Sequence, residues 1–139
     1  MSTATPAAQT PAATPLPTVL LQSWRLEFER SGGIAGLSQR LTLDDSGQGV
    51  FADLRRDRRV NGSLTPAEMA ELRVLLANAW SQAQPASQTQ PCADCFEYSL
   101  SFNAGSREET VRANSLGVSP RLRPLVQWLT TLLEGRLAP

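Results

Sequence analysis

ERSGGIAGLSQRL, residues 29–41, decides how the first half of this chain is read. Alternation of apolar and polar residues runs into it and resumes after it. Leu20, Trp24, Leu26 and Phe28 alternate with Arg25, Glu27 and Glu29. Leu37, Leu41 and Leu43 then alternate with Ser38, Arg40 and Thr42. This period of two predicts two half-buried strands joined through Ser31, Gly32, Gly33, Ile34, Ala35 and Gly36. A tight hairpin needs only two loop residues. Six residues, three of them glycine and one a bare isoleucine, call for another explanation.

Working outward, DDSGQG at 44–49 is a turn cluster. Val50, Ala52 and Leu54 share one face of an expected third strand. RRDRR at 55–59 makes a charged turn, and VNGSL a short fourth strand. Thr65, Pro66 and Glu68 spell a T-x-x-E capping box with Pro in the first helical turn, flanked by Leu64 and Met69 as a hydrophobic staple. Met69, Leu72, Leu75, Leu76 and Ala79 form the apolar stripe of that helix. The segment 81–91 is a polar loop. Phe96, Tyr98, Leu100 and Phe102 mark a fifth strand, NAGS turns it, and Val111 and Ala113 lie on the return strand. A second helix is expected from Ser119-Pro120, with Leu122, Leu125, Val126, Leu129, Leu132 and Leu133 on its apolar side and Gly135 as its stop. The expected fold class is α+β: an antiparallel sheet, a meander plus a second hairpin, with two helices on one face.

Composition narrows the function. The 139 residues carry no net charge, so nothing electrostatic points to nucleic acid or an anionic membrane. All 13 basic residues are arginine, which excludes lysine Schiff bases and the phosphate-loop lysine. The chain has no histidine, the commonest general base and a usual zinc ligand. The pairs Asp44-Asp45 and Glu108-Glu109 lie in or beside turns, and neighbouring strand residues point to opposite faces, so neither makes an acid–base dyad. The expectation is a non-enzyme without cofactor or metal. No apolar run reaches the ~18 residues of a membrane span.

Residues 1–18, rich in Thr, Pro and Ala and uncharged, read as a disordered linker before one domain at 19–135. The tract lacks the basic start and apolar centre of a signal peptide. Two readings stand for it: a tether behind a removed export signal or lipid anchor, or a frayed terminus. Cys92 and Cys95 close too small a cluster for zinc, and they precede a strand where a thioredoxin-type pair opens a helix. They are read as a local disulfide or as two idle thiols. Trp80 and Trp128 are placed at the sheet rim.

The glycine segment fits no phosphate cradle, because a strand follows where a helix N-terminus is required. An isoleucine at a loop tip either folds onto the core or is bound by something else. RSGGIAGLSQRLTLD, followed by the T-P-A-E helix, the F-x-Y-x-L strand and the LRPLV helix, resembles the emfourin-type inhibitors of protealysin, a thermolysin-like zinc metallopeptidase of bacteria. The resemblance spans about residues 22–134. It implies a compact, non-catalytic domain that blocks a peptidase cleft with loops near the sheet end. The chemistry of the glycine loop assigns that role to Ser31, Gly32, Gly33, Ile34, Ala35, Gly36 and Leu37, lying in the cleft in a substrate-like manner, and a monomer is expected. Thermolysin-like clefts take an apolar side chain just after the scissile bond, and Gly33-Ile34 and Gly36-Leu37 both offer one. Leu116, in NSLGVSP, is a second contact candidate. The competing reading is a non-catalytic, envelope-associated binding module without a peptidase target.

Overall fold

The computed structural model describes residues 23–80, 91–105 and 107–138. The linker at 1–18, Leu20 and most of the polar loop at 81–91 lie outside the described residues, as does the side chain of Trp80.

Six antiparallel strands form one sheet: β1 (Trp24–Gly32), β2 (Leu37–Asp44), β3 (Gln48–Asp53), β4 (Arg58–Ser63), β5 (Phe96–Ala104) and β6 (Arg107–Asn114). Their spatial order is β4-β3-β2-β1-β5-β6. The first four strands are a meander, and the β5–β6 hairpin adds to the free side of β1. Helix α1 (Pro66–Trp80) follows β4, and α2 (Arg123–Leu137) follows β6.

Register decides which face is the core. Leu26 is paired with Leu43 and Phe102, Phe28 with Leu41 and Leu100, and Leu41 with Phe51. These side chains are fully or almost fully buried, together with Leu72 and Leu76 of α1 and Leu125, Leu129 and Leu133 of α2. The two helices therefore cover one face. The other face, which carries Arg25, Glu27, Glu29 and Arg40, is polar, with a Glu29–Arg40 ion pair at 2.8 Å across β1 and β2. Val50, Ala52 and Leu54 do share a face, but it is this uncovered one. Phe51 takes the core side of β3 because its cross-strand partner is Leu41.

The capping box closes as its sequence predicts. The Glu68 carboxylate accepts from the Thr65 amide at 2.9 Å, and the Thr65 hydroxyl accepts from the Glu68 amide at 3.1 Å. Leu64 and Met69 are both buried beside it. Arg136 reaches Glu68 at 2.8 Å and ties the end of α2 to the start of α1.

Helix α2 differs from its expected bounds at both ends. Ser119-Pro120 forms a lead-in turn in which the amides of Leu122 and Arg123 both donate to the Ser119 carbonyl at 3.1 Å. Gly135 does not stop the helix, which runs on to a buried Leu137. A glycine within a helix costs up to about 1 kcal/mol relative to alanine, and less in the last turn, where Gly135 lies. Burial of Leu137 and the Arg136–Glu68 pair offset it.

Candidate functional site

The unpaired glycine segment is shorter than the sequence implies. The β1–β2 ladder continues through Ser31↔Ser38 to Gly32↔Leu37, so Ser31, Gly32 and Leu37 belong to strands. The tip is the four-residue turn Gly33–Gly36, closed by the Gly36 amide donating to the Gly33 carbonyl at 3.2 Å. Ile34 and Ala35 occupy its two central positions. Gly32, Gly33 and Gly36 all take positive φ, at 90°, 73° and 65°. Side-chain-bearing residues rarely adopt that conformation, so glycine at these positions is what lets the chain reverse here.

Ile34 does not fold back. It is 90% exposed, the most exposed large hydrophobic side chain among the described residues. Folding spends an isoleucine here without burying it.

Three braces hold the turn from below. First, the Gly33 amide donates to the Cys95 carbonyl at 3.1 Å, which docks the tip against the segment entering β5. Cys92 and Cys95 are joined there as a disulfide, Cα atoms 5.6 Å apart. Second, the Phe96 ring fills the space beside Gly33; a Cβ at that position would stand 2.6 Å from the ring edge. Phe96 in turn packs under Arg30, whose guanidinium carbon lies 4.3 Å from the ring centre. Third, the Arg55 guanidinium, arriving from the β3–β4 turn, donates to the carbonyls of Ala35 and Gly36, the latter at 3.0 Å.

Arg30 is the central element of this scaffold. It occupies the buried parity of β1 and is only 6% exposed. Its guanidinium donates to Gln39 and to Glu134 of α2, each at 3.1 Å. Both bonds come from Nη1, and with the aromatic face beneath they compensate much of the cost of burying the charge, while the buried Nε has no hydrogen-bond partner among the described residues. The Arg55 brace is organised locally as well. The buried Asp53 carboxylate accepts from the amides of Arg55 and Arg56 at 3.2 Å, an Asx-type turn that shapes the β3–β4 connection. Asp57 completes it at a φ of 53°.

Strand direction gathers these loops. β1 and β3 end, β5 begins, and β6 ends, at the same edge of the sheet. The Gly33–Gly36 turn, the β3–β4 turn, the disulfide and the β6–α2 connection at 115–117 therefore form one rim. The last is stapled to β5: the Ser115 hydroxyl accepts from the Phe96 amide, and the Ser115 amide donates to the Phe96 carbonyl, both at 2.9 Å. Leu116 is 56% exposed on this connection. Reading the sequence alone missed Arg30, Phe96 and Arg55 as parts of this site. Arg30 had a signal, since it continues the Trp24, Leu26, Phe28 parity. Arg55 had none, because it lies about twenty residues from the carbonyls it holds.

The apex carries no titratable side chain, and its polar groups are backbone amides and carbonyls. Among the described residues no three His, Cys, Asp or Glu side chains gather as metal ligands. Trp128, half-buried, packs against the core.

A sequence model of the Emfourin family matches residues 46–130, and the chain belongs to that family. Membership points to a role in protease inhibition. The match holds β3 through most of α2 and includes Leu54, Arg55, the cysteine pair and Leu116; the glycine turn lies before it. No curated protein matches the chain.

Proposed function

We propose that this protein inhibits a thermolysin-like zinc metallopeptidase by inserting the Ser31–Leu37 hairpin into the active-site cleft as a substrate would lie. One observation carries the reading: Ile34 stands 90% exposed at the apex of a turn whose base is braced on three sides. Such a cleft accepts an apolar side chain following the scissile bond, and Gly33-Ile34 presents one with a glycine before it. Glycine allows the backbone to approach the cleft walls closely. The braces lower the entropy lost on binding, because the turn is ordered before it meets its target. Inhibition then needs no chelating side chain; the hairpin excludes substrate from the cleft.

The test is a titration of a thermolysin-like peptidase with the full chain, at substrate concentrations below and above KM. Competitive inhibition at nanomolar to micromolar concentration supports the reading. Undiminished hydrolysis at a large molar excess of the chain contradicts it.

A further inference from the structure

A four-residue turn is too small to account for a stable complex. Protein–protein interfaces of standard size engage about 20–30 residues and bury roughly 800 Å² on each side. The Gly33–Gly36 tip supplies four residues, two of them glycine. The remaining contact has to come from surface that reaches the same partner at the same time.

The distribution of exposed apolar side chains indicates where that surface lies. The described residues include four large exposed hydrophobics: Ile34 (90%), Leu54 (48%), Leu116 (56%) and Val74 (59%). Three of them sit on three different loops of one rim. Leu54 opens the β3–β4 turn, its amide donating to the Ser38 carbonyl at 2.8 Å. Leu116 sits on the β6–α2 turn, its amide and that of Gly117 held by the Asn114 side chain at 3.2 and 3.1 Å. Neighbouring strands lie about 4.8 Å apart. In the order β4-β3-β2-β1-β5-β6, the Leu54 turn therefore stands roughly 10 Å to one side of the Ile34 tip, and the end of β6 roughly 12 Å to the other. Each flanking leucine rests on a turn fixed by side-chain-to-backbone hydrogen bonds, Asp53 for one and Asn114 for the other.

We infer that Leu54 and Leu116 are flanking contacts that grip the two lips of the peptidase cleft while Ile34 fills its centre. This rests on the inhibitor reading above. The occupant is the same thermolysin-like peptidase, met along a line of roughly 20 Å, so the rim as a whole is the inhibitory surface. The hairpin supplies the blocking element, and the leucines supply much of the residence time.

The test uses the full chain and compares inhibition constants against a thermolysin-like peptidase for Leu54→Ser, Leu116→Ser, the double variant, Val74→Ser and Ile34→Asp, with a melting temperature for each. The expectation is a Ki raised about fivefold or more by either flanking change and about thirtyfold by both, with little change in melting temperature. Val74→Ser, on α1, leaves Ki within twofold. If the parent inhibits and Ile34→Asp does not, but the double flanking variant inhibits within twofold of the parent, the flanking role is overturned and the proposed function stands. If the parent does not inhibit, both fall together. A Val74→Ser effect as large as those of the rim variants also overturns the assignment, since loss of any surface leucine or valine would then suffice.

Discussion

The Arg30 guanidinium lies 4.3 Å from the centre of the Phe96 ring, and the edge of that ring occupies the place a Cβ of Gly33 would need. A buried cation on β1 thus sets the position of an aromatic wall, and the wall sets the path of the hairpin tip. Gly33→Val breaks this arrangement twice. It places a branched side chain at a φ of 73° and drives it into Phe96. The expected cost is about 1–3 kcal/mol of stability and a loss of inhibition greater than tenfold, checked by urea unfolding and Ki on one preparation.

Arg55 braces the far side of the tip through the Ala35 and Gly36 carbonyls. It is exposed, so its truncation is expected to change stability by less than about 1 kcal/mol. The freed turn then pays more entropy on binding, about 0.5–1.5 kcal/mol for groups newly immobilised. Arg55→Ala should therefore raise Ki roughly 2–12-fold while the melting temperature stays nearly constant. An unchanged Ki would remove Arg55 from the site.

The Cys92–Cys95 disulfide closes a loop of only four residues, for which chain-entropy arguments give about 2 kcal/mol. Replacing both by Ser should lower the melting temperature by several degrees. Inhibition should largely survive, because the Gly33 bond goes to the Cys95 backbone and the adjacent Gly32↔Phe96 pairing continues the ladder. Ki that follows the redox state of this pair would show that the disulfide itself positions the tip.

Two carboxylates, Asp44 and Glu68, are held low in the folded state and so are expected to contribute to its acid sensitivity. Asp44 is held below its ordinary value chiefly by the Ser46 hydroxyl, with the Gln48 and Ser46 amides and Arg25 adding to it against the opposing effect of burial. Glu68 is held down first by the Thr65 amide and then by Arg136, again against burial. Both are lowered in the folded state, so their stabilisation is complete above the ordinary carboxylate range near about 4 and is lost as pH falls through the lowered values. Stability should be flat near neutrality and fall below about pH 4. Glu68→Gln should flatten part of that fall in a pH series of denaturant midpoints, while lowering the neutral plateau through the weakened Arg136 pair and cap.

Much of this fold was legible because its signals are local. The alternation at Trp24, Leu26 and Phe28, the Thr65–Glu68 box and the Leu125–Leu133 stripe each state an element and its buried side. The third strand was legible as β3 (Gln48–Asp53), but its buried side was not, because Val50, Phe51 and Ala52 are apolar on both faces and only the pairing of Phe51 with Leu41 selects one. The end of α2 was misread at Gly135 because the signal for continuing is Leu137, whose burial depends on the sheet beneath it. At the site, the sequence carried the exposed Ile34 and its glycines. Their supports are tertiary: Glu134 lies 104 residues from Arg30, and Arg55 meets the tip only because β3 pairs with β2. The narrowing of the loop from six residues to four has the same origin, since pairing of Gly32 with both Leu37 and Phe96 extends the ladder.

The central claim is that Ile34 is exposed in order to be bound, and Ile34→Asp tests it most directly. A carboxylate forced into an apolar subsite that cannot hydrate it costs several kcal/mol, and each 1.4 kcal/mol is about tenfold in affinity. In the free protein the same side chain faces water, so folding should not register the change. Thermal unfolding and peptidase inhibition are to be measured on the same preparations of parent and variant. The account predicts an unchanged melting temperature with inhibition weakened by two orders of magnitude or more; a variant that inhibits as well as its parent would contradict it.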